Sequence, residues 1–197
     1  MGRWEPDARG RLVKAAMELF EERGYARTTV ADIAERAGLT ERTFFRHFAD
    51  KREVLFSGSE DLEAVILAAV AQAPDGAAPF DVVLAAMEAA GAMIQERRAM
   101  PFVRARWAIV TEHAEVRERE LIKMASLGAA LTAALRARRV PEPAASLAAA
   151  AGIAAFTVGF ERWVAAKRPG DLAAHVRAAF DALEAVTSRA PARAPRA

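Results

Sequence analysis

Arg42, Phe45 and Arg46 recur at i, i+3 and i+4 in the run ERTFFRH, so a helix there carries two guanidiniums and one aromatic ring on a single side. Phe44 and Phe48, four apart, fall on another side and suit a core. Arginine can bond guanine edges through two parallel N–H groups, Thr43 and His47 can bond phosphate, and Glu41 can accept from cytosine. Phe45 can pack against sugar or a thymine methyl. The chemistry on offer is reading of the DNA major groove. The plain alternative is a packed helical hairpin that never meets DNA.

The elements that must hold these side chains are legible around them. Thr29 can cap a helix, with Asp32 three residues on as the reciprocal acceptor, and Val30, Ile33, Ala34 and Ala37 keep helical spacing. Gly38 stops that helix because it enters the left-handed conformation cheaply, and Leu39 after it turns back to the core. Thr40 caps the next helix, which carries the arginines. Two short helices with a tight turn read as helix-turn-helix. Before them, Leu12, Ala15, Ala16, Leu19 and Phe20 mark a first helix that ends at Gly24. Arg27 and Thr28 then fall in a link where a guanidinium and a hydroxyl near a helix N-terminus could hold phosphate. Arg3 and Arg9, ahead of and at the opening of the first helix, read equally well as solvated charge.

The run Thr29 to Lys51, TVADIAERAGLTERTFFRHFADK, resembles the DNA-binding domain of the tetracycline-repressor (TetR) family of bacterial regulators. The resemblance implies an all-α protein: an N-terminal three-helix helix-turn-helix domain, a linking helix, and a C-terminal helical bundle for ligand binding and dimerisation. The expected divisions are residues 1–55, 56–189 and a disordered basic tail at 190–197. Within the motif, Arg42 and Arg46 are expected to read bases, and Thr43, His47 and Lys51 to hold the backbone. Arg27, Thr28, Thr29, Thr40, Glu41 and Phe45 complete the expected DNA-facing set.

After this motif Asp50 and Glu53 cap a fourth helix with an apolar line through Val54, Leu55, Leu62, Val65, Ile66 and Ala69. Because it begins beside the reading helix and ends in the C-terminal part, it is expected to link them mechanically. QAPDGAAP, residues 72–79, reads as a loop, and further helices are marked from Phe80, from Pro101, around Leu121 to Leu135, over Ala144 to about Lys167, and from Asp171 to about Thr187.

The last two helices are rich in small residues broken by large ones. They could form an ordinary core, or pair with the same two helices of a second copy, as the resemblance implies. The dimer set expected on that basis is Ala151, Ala154, Ala155, Val158, Gly159 and Arg162, with Val176, Phe180 and Leu183. A two-fold dimer requires a roughly palindromic operator. An apolar or amphipathic small ligand, also implied by the family, finds large or pliable side chains in Met87, Ile94, Phe102, Trp107, Met124, Leu127, Phe156 and Phe160. Arg106 and His113 could add polar contacts, although core is the safer reading of the eight apolar residues, and side chains like these two more often cap helices or pair with acids such as Glu112.

Enzyme chemistry finds little support. The three histidines, His47, His113 and His175, are far apart, and no His-Glu-x-x-His, phosphate loop or Gly-x-Ser-x-Gly elbow occurs. Glu and Arg at i, i+4 in EHAEVRERE, Glu115 with Arg119 for one, read as a salt-bridged helix face. There is no cysteine, so no thiolate site or disulfide, and no cofactor or metal is expected. The net charge is only +2, so a nucleic-acid footprint must be local, in Arg42, Arg46, His47, Lys51 and Arg52. No apolar run is long enough for a membrane span, Ala144 to Ala155 coming closest, so a cytoplasmic location is expected. The competing class is a helical small-molecule binder that does not read DNA.

Overall fold

The computed structural model describes residues 7–188, and every regular element among them is a helix. In order these are α1 (Ala8–Arg23), α2 (Val30–Arg36), α3 (Glu41–His47), α4 (Lys51–Leu55), α5 (Ser59–Gln72), α6 (Pro79–Arg97), α7 (Met100–Glu112), α8 (Ala114–Ala137), α9 (Ala144–Ala165) and α10 (Leu172–Thr187). Arg3 and the tail at 190–197 lie outside the described residues.

The linking helix is in two pieces. Phe56, Ser57 and Ser59 donate to carbonyls three residues back, at Glu53, Val54 and Phe56, so the chain tightens after α4 and restarts as α5. The apolar line from Val54 to Ala69 therefore belongs to two helices, because turn hydrogen bonds satisfy the backbone where the sequence pattern shows no interruption.

The chain forms two compact units. The first contains the residues through Asp61 together with Arg98–Lys123. Its core joins Leu12, Leu19 and Phe20 of α1, Ile33 of α2, Phe44 of α3 and Val54 of α4 with Ile109 and Val110 of α7 and Val116 of α8. The unit thus takes in more than residues 1–55. The recruitment of α7 rests on contacts between residues nearly a hundred positions apart, which no local spacing encodes.

The second unit contains Leu62–Arg97 and the residues from Met124 onward. Here α9 packs on α10 and on α6, and α10 packs on α6. By length and composition α9, with 22 residues, is apolar enough to cross a membrane, its mean hydropathy reaching 1.5 over an 18-residue stretch. One side of it is used inside the bundle. Ala145, Ala149, Gly152, Ala155, Phe156, Gly159 and Trp163 are buried along one side of it. At Gly159 the approach is backbone to backbone, since a Cβ there would lie 2.9 Å from Val176 Cα.

That packing corrects part of the expected dimer set. Ala155, Gly159, Val176 and Phe180 are buried within the chain. Small residues and their knobs interlock α9 with α10 of the same molecule, so these four cannot form an outer contact surface. Ala154, Val158 and Arg162 are exposed, and Ala151 and Leu183 half-buried.

Candidate nucleic-acid interface

The helix-turn-helix is built by local hydrogen bonds that the sequence specifies. The Thr29 hydroxyl accepts the Asp32 N–H at 3.1 Å, and an Asp32 carboxylate oxygen accepts the Thr29 N–H at 2.8 Å and its hydroxyl at 2.7 Å. These hydrogen bonds, first of all the Thr29 hydroxyl, hold the Asp32 carboxyl below the usual carboxylate range. At the other end of α2, the Gly38 N–H bonds the Glu35 carbonyl and the Leu39 N–H bonds the Ala34 carbonyl, a Schellman pair that requires the positive φ of 66° at Gly38. An Arg11 guanidinium of α1 donates to the Ala37 carbonyl beside it. Thr40 caps α3 by accepting the Thr43 N–H at 3.2 Å.

These constraints fix which way α3 faces. Phe44 is fully buried and Phe48 nearly so, their rings 5.6 Å apart, while Phe45 is 55% exposed. Arg42 and Arg46 are exposed with it, as are Thr40 and Glu41. Two guanidiniums and an aromatic ring therefore stand on one outward face of a short helix whose opposite face is locked into a core. Arg27 and Thr29 are also exposed, with Arg27 Nε donating to the Arg23 carbonyl at 2.7 Å.

Three expected DNA contacts are placed differently. Thr28 is only 1% exposed, and its hydroxyl donates to the Gly24 carbonyl at 3.0 Å, so it closes the α1 to α2 connection and its side chain cannot reach phosphate. The Lys51 ammonium donates to the carbonyls of Tyr25 and Thr28 at 2.9 and 3.0 Å and lies 4.3 Å from the Tyr25 ring centre. Burial lowers its pKa, which is the reverse of an ammonium poised in solvent for a phosphate. His47 is half-buried, and its Nε2 is shielded from solvent with no hydrogen-bond partner.

Sequence reasoning missed the ties from α4 to α7 and α8 within this unit. Glu53 receives Arg119 at both carboxylate oxygens, the Nη2 contact being 3.2 Å, and Lys123 at 3.8 Å. Arg119 thus pairs across the unit with α4 and not along its own helix with Glu115, as its spacing suggested. Arg106 Nε donates to the Leu55 carbonyl at 2.7 Å and its Nη2 to Glu120 at 2.6 Å, so its guanidinium serves the fold. The i, i+4 spacing of Arg119 and Lys123 was a visible sign of a shared cationic face, but the partner was unreadable.

Residues 12–57 match the family model described as bacterial regulatory proteins, tetR family. Over that segment the chain carries a TetR-family DNA-binding domain. Among curated relatives, the HTH-type transcriptional regulator TcmR of Streptomyces glaucescens is 41% identical over 81 residues, covering 41% of this chain and 36% of TcmR. TtgR of Pseudomonas putida is 45% identical over 49 residues, which cover 25% of this chain and 23% of TtgR. The chain thus spans only about a third or less of the length of these relatives. Over the whole chain, the TetR-type likeness is one of fold. The Thermus thermophilus repressor FadR, solved with lauroyl-CoA, superposes with a TM-score of 0.56 at 24% identity, covering 96% of this chain and 100% of that one. SmeT, repressor of a Stenotrophomonas maltophilia efflux pump, gives 0.59 at 22% identity, with 95% and 96% covered.

The residues considered for a TetR-type ligand pocket divide between the units. Phe102, Arg106, Trp107 and His113 belong to the first, where Phe102 and Trp107 pack against the core and the His113 ring lies 4.8 Å from that of Tyr25. Met87, Ile94, Met124, Leu127, Phe156 and Phe160 belong to the second. Met87 is fully buried there, and Leu127 and Phe156 nearly so. Among the described residues no group of three or more His, Cys, Asp or Glu side chains is placed to hold a metal.

Proposed function

We propose that this chain is a ligand-responsive homodimeric transcriptional repressor of the TetR family, acting in the cytoplasm, that recognises a roughly palindromic operator. The observation that carries the reading is the outward face of α3, where Arg42, Phe45 and Arg46 are exposed while Phe44 and Phe48 anchor the helix from behind. Arg42 and Arg46 read base edges, Phe45 packs on sugar or a thymine methyl, and Glu41 accepts from cytosine. Arg27, Thr29, Thr40 and Thr43 line the backbone. Lys51 supports this surface from inside the unit.

The dimer reading now rests on the exposed side of α9. Leu147, at 65% exposure, Val158, at 43%, and the exposed Ala154 follow one another at helical spacing with the half-buried Ala151. The ligand reading rests on the apolar interior of the second unit around Met87, Met124, Leu127, Phe156 and Phe160. It draws support from what two fold neighbours bind, lauroyl-CoA for Thermus FadR and triclosan for SmeT. A ligand releases DNA only as far as it prefers the conformation that fits the operator less well, a coupling of about 1 to 3 kcal/mol.

The test is selection of bound sequences from random duplex DNA with purified full-length protein. An enriched inverted repeat is the expected result. A folded protein that enriches nothing at low salt overturns the DNA-reading proposal and leaves a helical small-molecule binder.

A further inference from the structure

The first unit contains a cleft of about 390 Å³ that borrows no residue from α2 or α3. Its apolar floor is made by Val13 and Met17 of α1 and Phe102 of α7. Val13 and Met17 are buried, and the thioether of Met17 adapts readily to an apolar guest. The rim is cationic. Arg9 Nε donates to the Ser57 hydroxyl at 3.3 Å, and Arg98 Nη2 donates to the Ser57 carbonyl at 3.1 Å, so guanidiniums from the unit's two sequence segments converge on one serine. The Arg98 guanidinium also lies 4.8 Å from the Phe102 ring centre, which joins the rim to the floor. Lys14 adds a third cation to the lining. The one carboxylate in it, Asp7, already accepts the Gly10 N–H at 2.8 Å as the cap of α1.

A volume of this size falls in the range of small-ligand sites, roughly 300 to 1,000 Å³. An inorganic anion would meet the rim and leave the floor bare, and a neutral apolar molecule would cover the floor without using the charge of the rim. Guanidiniums bind carboxylates and phosphates through paired N–H donors, while a short alkyl chain fits the Val13, Met17 and Phe102 surface. We infer that this cleft binds a small amphiphilic anion, an aliphatic carboxylate or phosphate monoester, its head on Arg9 and Arg98 and its chain on the apolar floor. Bound there, it ties α1 to the turn after α4 and to α7. The site is separate from the ligand region proposed in the second unit and does not depend on the DNA reading.

The test uses full-length protein with ¹³C-methyl methionine, because Met17 lines the cleft while Met87 and Met124 report on the second unit. Decanoate and decyl phosphate, below their micellar concentrations, are titrated beside acetate and neutral decyl maltoside. The expected result is a saturable Met17 shift with one or both decyl anions and with neither control. Arg98→Gln and Arg9→Gln are each expected to weaken that titration about tenfold or more, Arg9→Gln with an unchanged thermal midpoint. Arg9 is exposed, so its substitution tests the site even where Arg98→Gln disturbs the fold. The inference is overturned by an unmoved Met17 methyl, by shifts confined to Met87 and Met124, by equal response to acetate or decyl maltoside, or by Arg9→Gln titrating like the wild type.

Discussion

The Lys51 ammonium lies 4.3 Å from the centre of the Tyr25 ring and donates to the Tyr25 and Thr28 carbonyls. It fastens the first residue of α4 to the connection that leads into α2, and satisfies two carbonyls that no helix uses. Removing it leaves those carbonyls without their charged donor. Lys51→Ala is expected to lower the unfolding free energy by about 1 to 3 kcal/mol in urea titration. The salt slope of DNA binding should stay as in the wild type. Unchanged stability with a slope reduced by about one ion would return Lys51 to the phosphate backbone.

Tyr25 is the chain's one tyrosine, so its ionisation can be followed without ambiguity by absorbance near ~295 nm. Burial, with the Glu115 and Asp50 charges adding to it, pushes the phenol up to about 12 from 10.0. The folded state therefore holds the proton more tightly than the unfolded chain. This contribution to stability is complete below pH 10 and is lost as pH rises from 10 toward 12. The phenolate signal of native protein should appear late, with a midpoint near 10 only in denaturant. A native midpoint near 10 would contradict the packing around Tyr25.

Arg42→Ala and Arg46→Ala should each cost about 1 to 3 kcal/mol on the selected operator and relax preference at particular base pairs. Thermal stability should be unaffected, since both side chains are exposed and lie off the buried Phe44 face. Equal losses on operator and random DNA for Arg42→Ala would assign it to the backbone instead.

Two substitutions on α9 separate the intramolecular seam from the proposed dimer face. A Cβ at Gly159 would sit 2.9 Å from the His175 carbonyl oxygen and from Val176 Cα, which are backbone and cannot swing away. Gly159→Ala should therefore destabilise the second unit by about 1 to 3 kcal/mol through overpacking. Ala154→Asp faces outward and should leave the subunit folded while shifting sedimentation from dimer to monomer. A dimer that survives Ala154→Asp would move the interface off this face.

The sequence alone determined the elements whose causes are local. Thr29 with Asp32, Gly38 with Leu39, and Thr40 with Thr43 each act within a few residues, so α2, the turn and α3 were readable, together with the outward placement of Arg42, Phe45 and Arg46. The break between α4 and α5 was not, because short-range turn bonds at Phe56, Ser57 and Ser59 compete there with an apolar pattern that continues through them.

Only the tertiary structure decided where long side chains and small residues found their partners. Lys51 turned inward to two carbonyls, Arg119 chose Glu53 over Glu115, and Arg106 was taken up by Leu55 and Glu120. Gly159 and Val176 met within one molecule. Periodicity states that a residue is buried or a charge exposed on its own helix. Which distant helix supplies the other side is set by packing the whole chain, and that choice gave Lys51, Arg106 and Gly159 their partners within the fold.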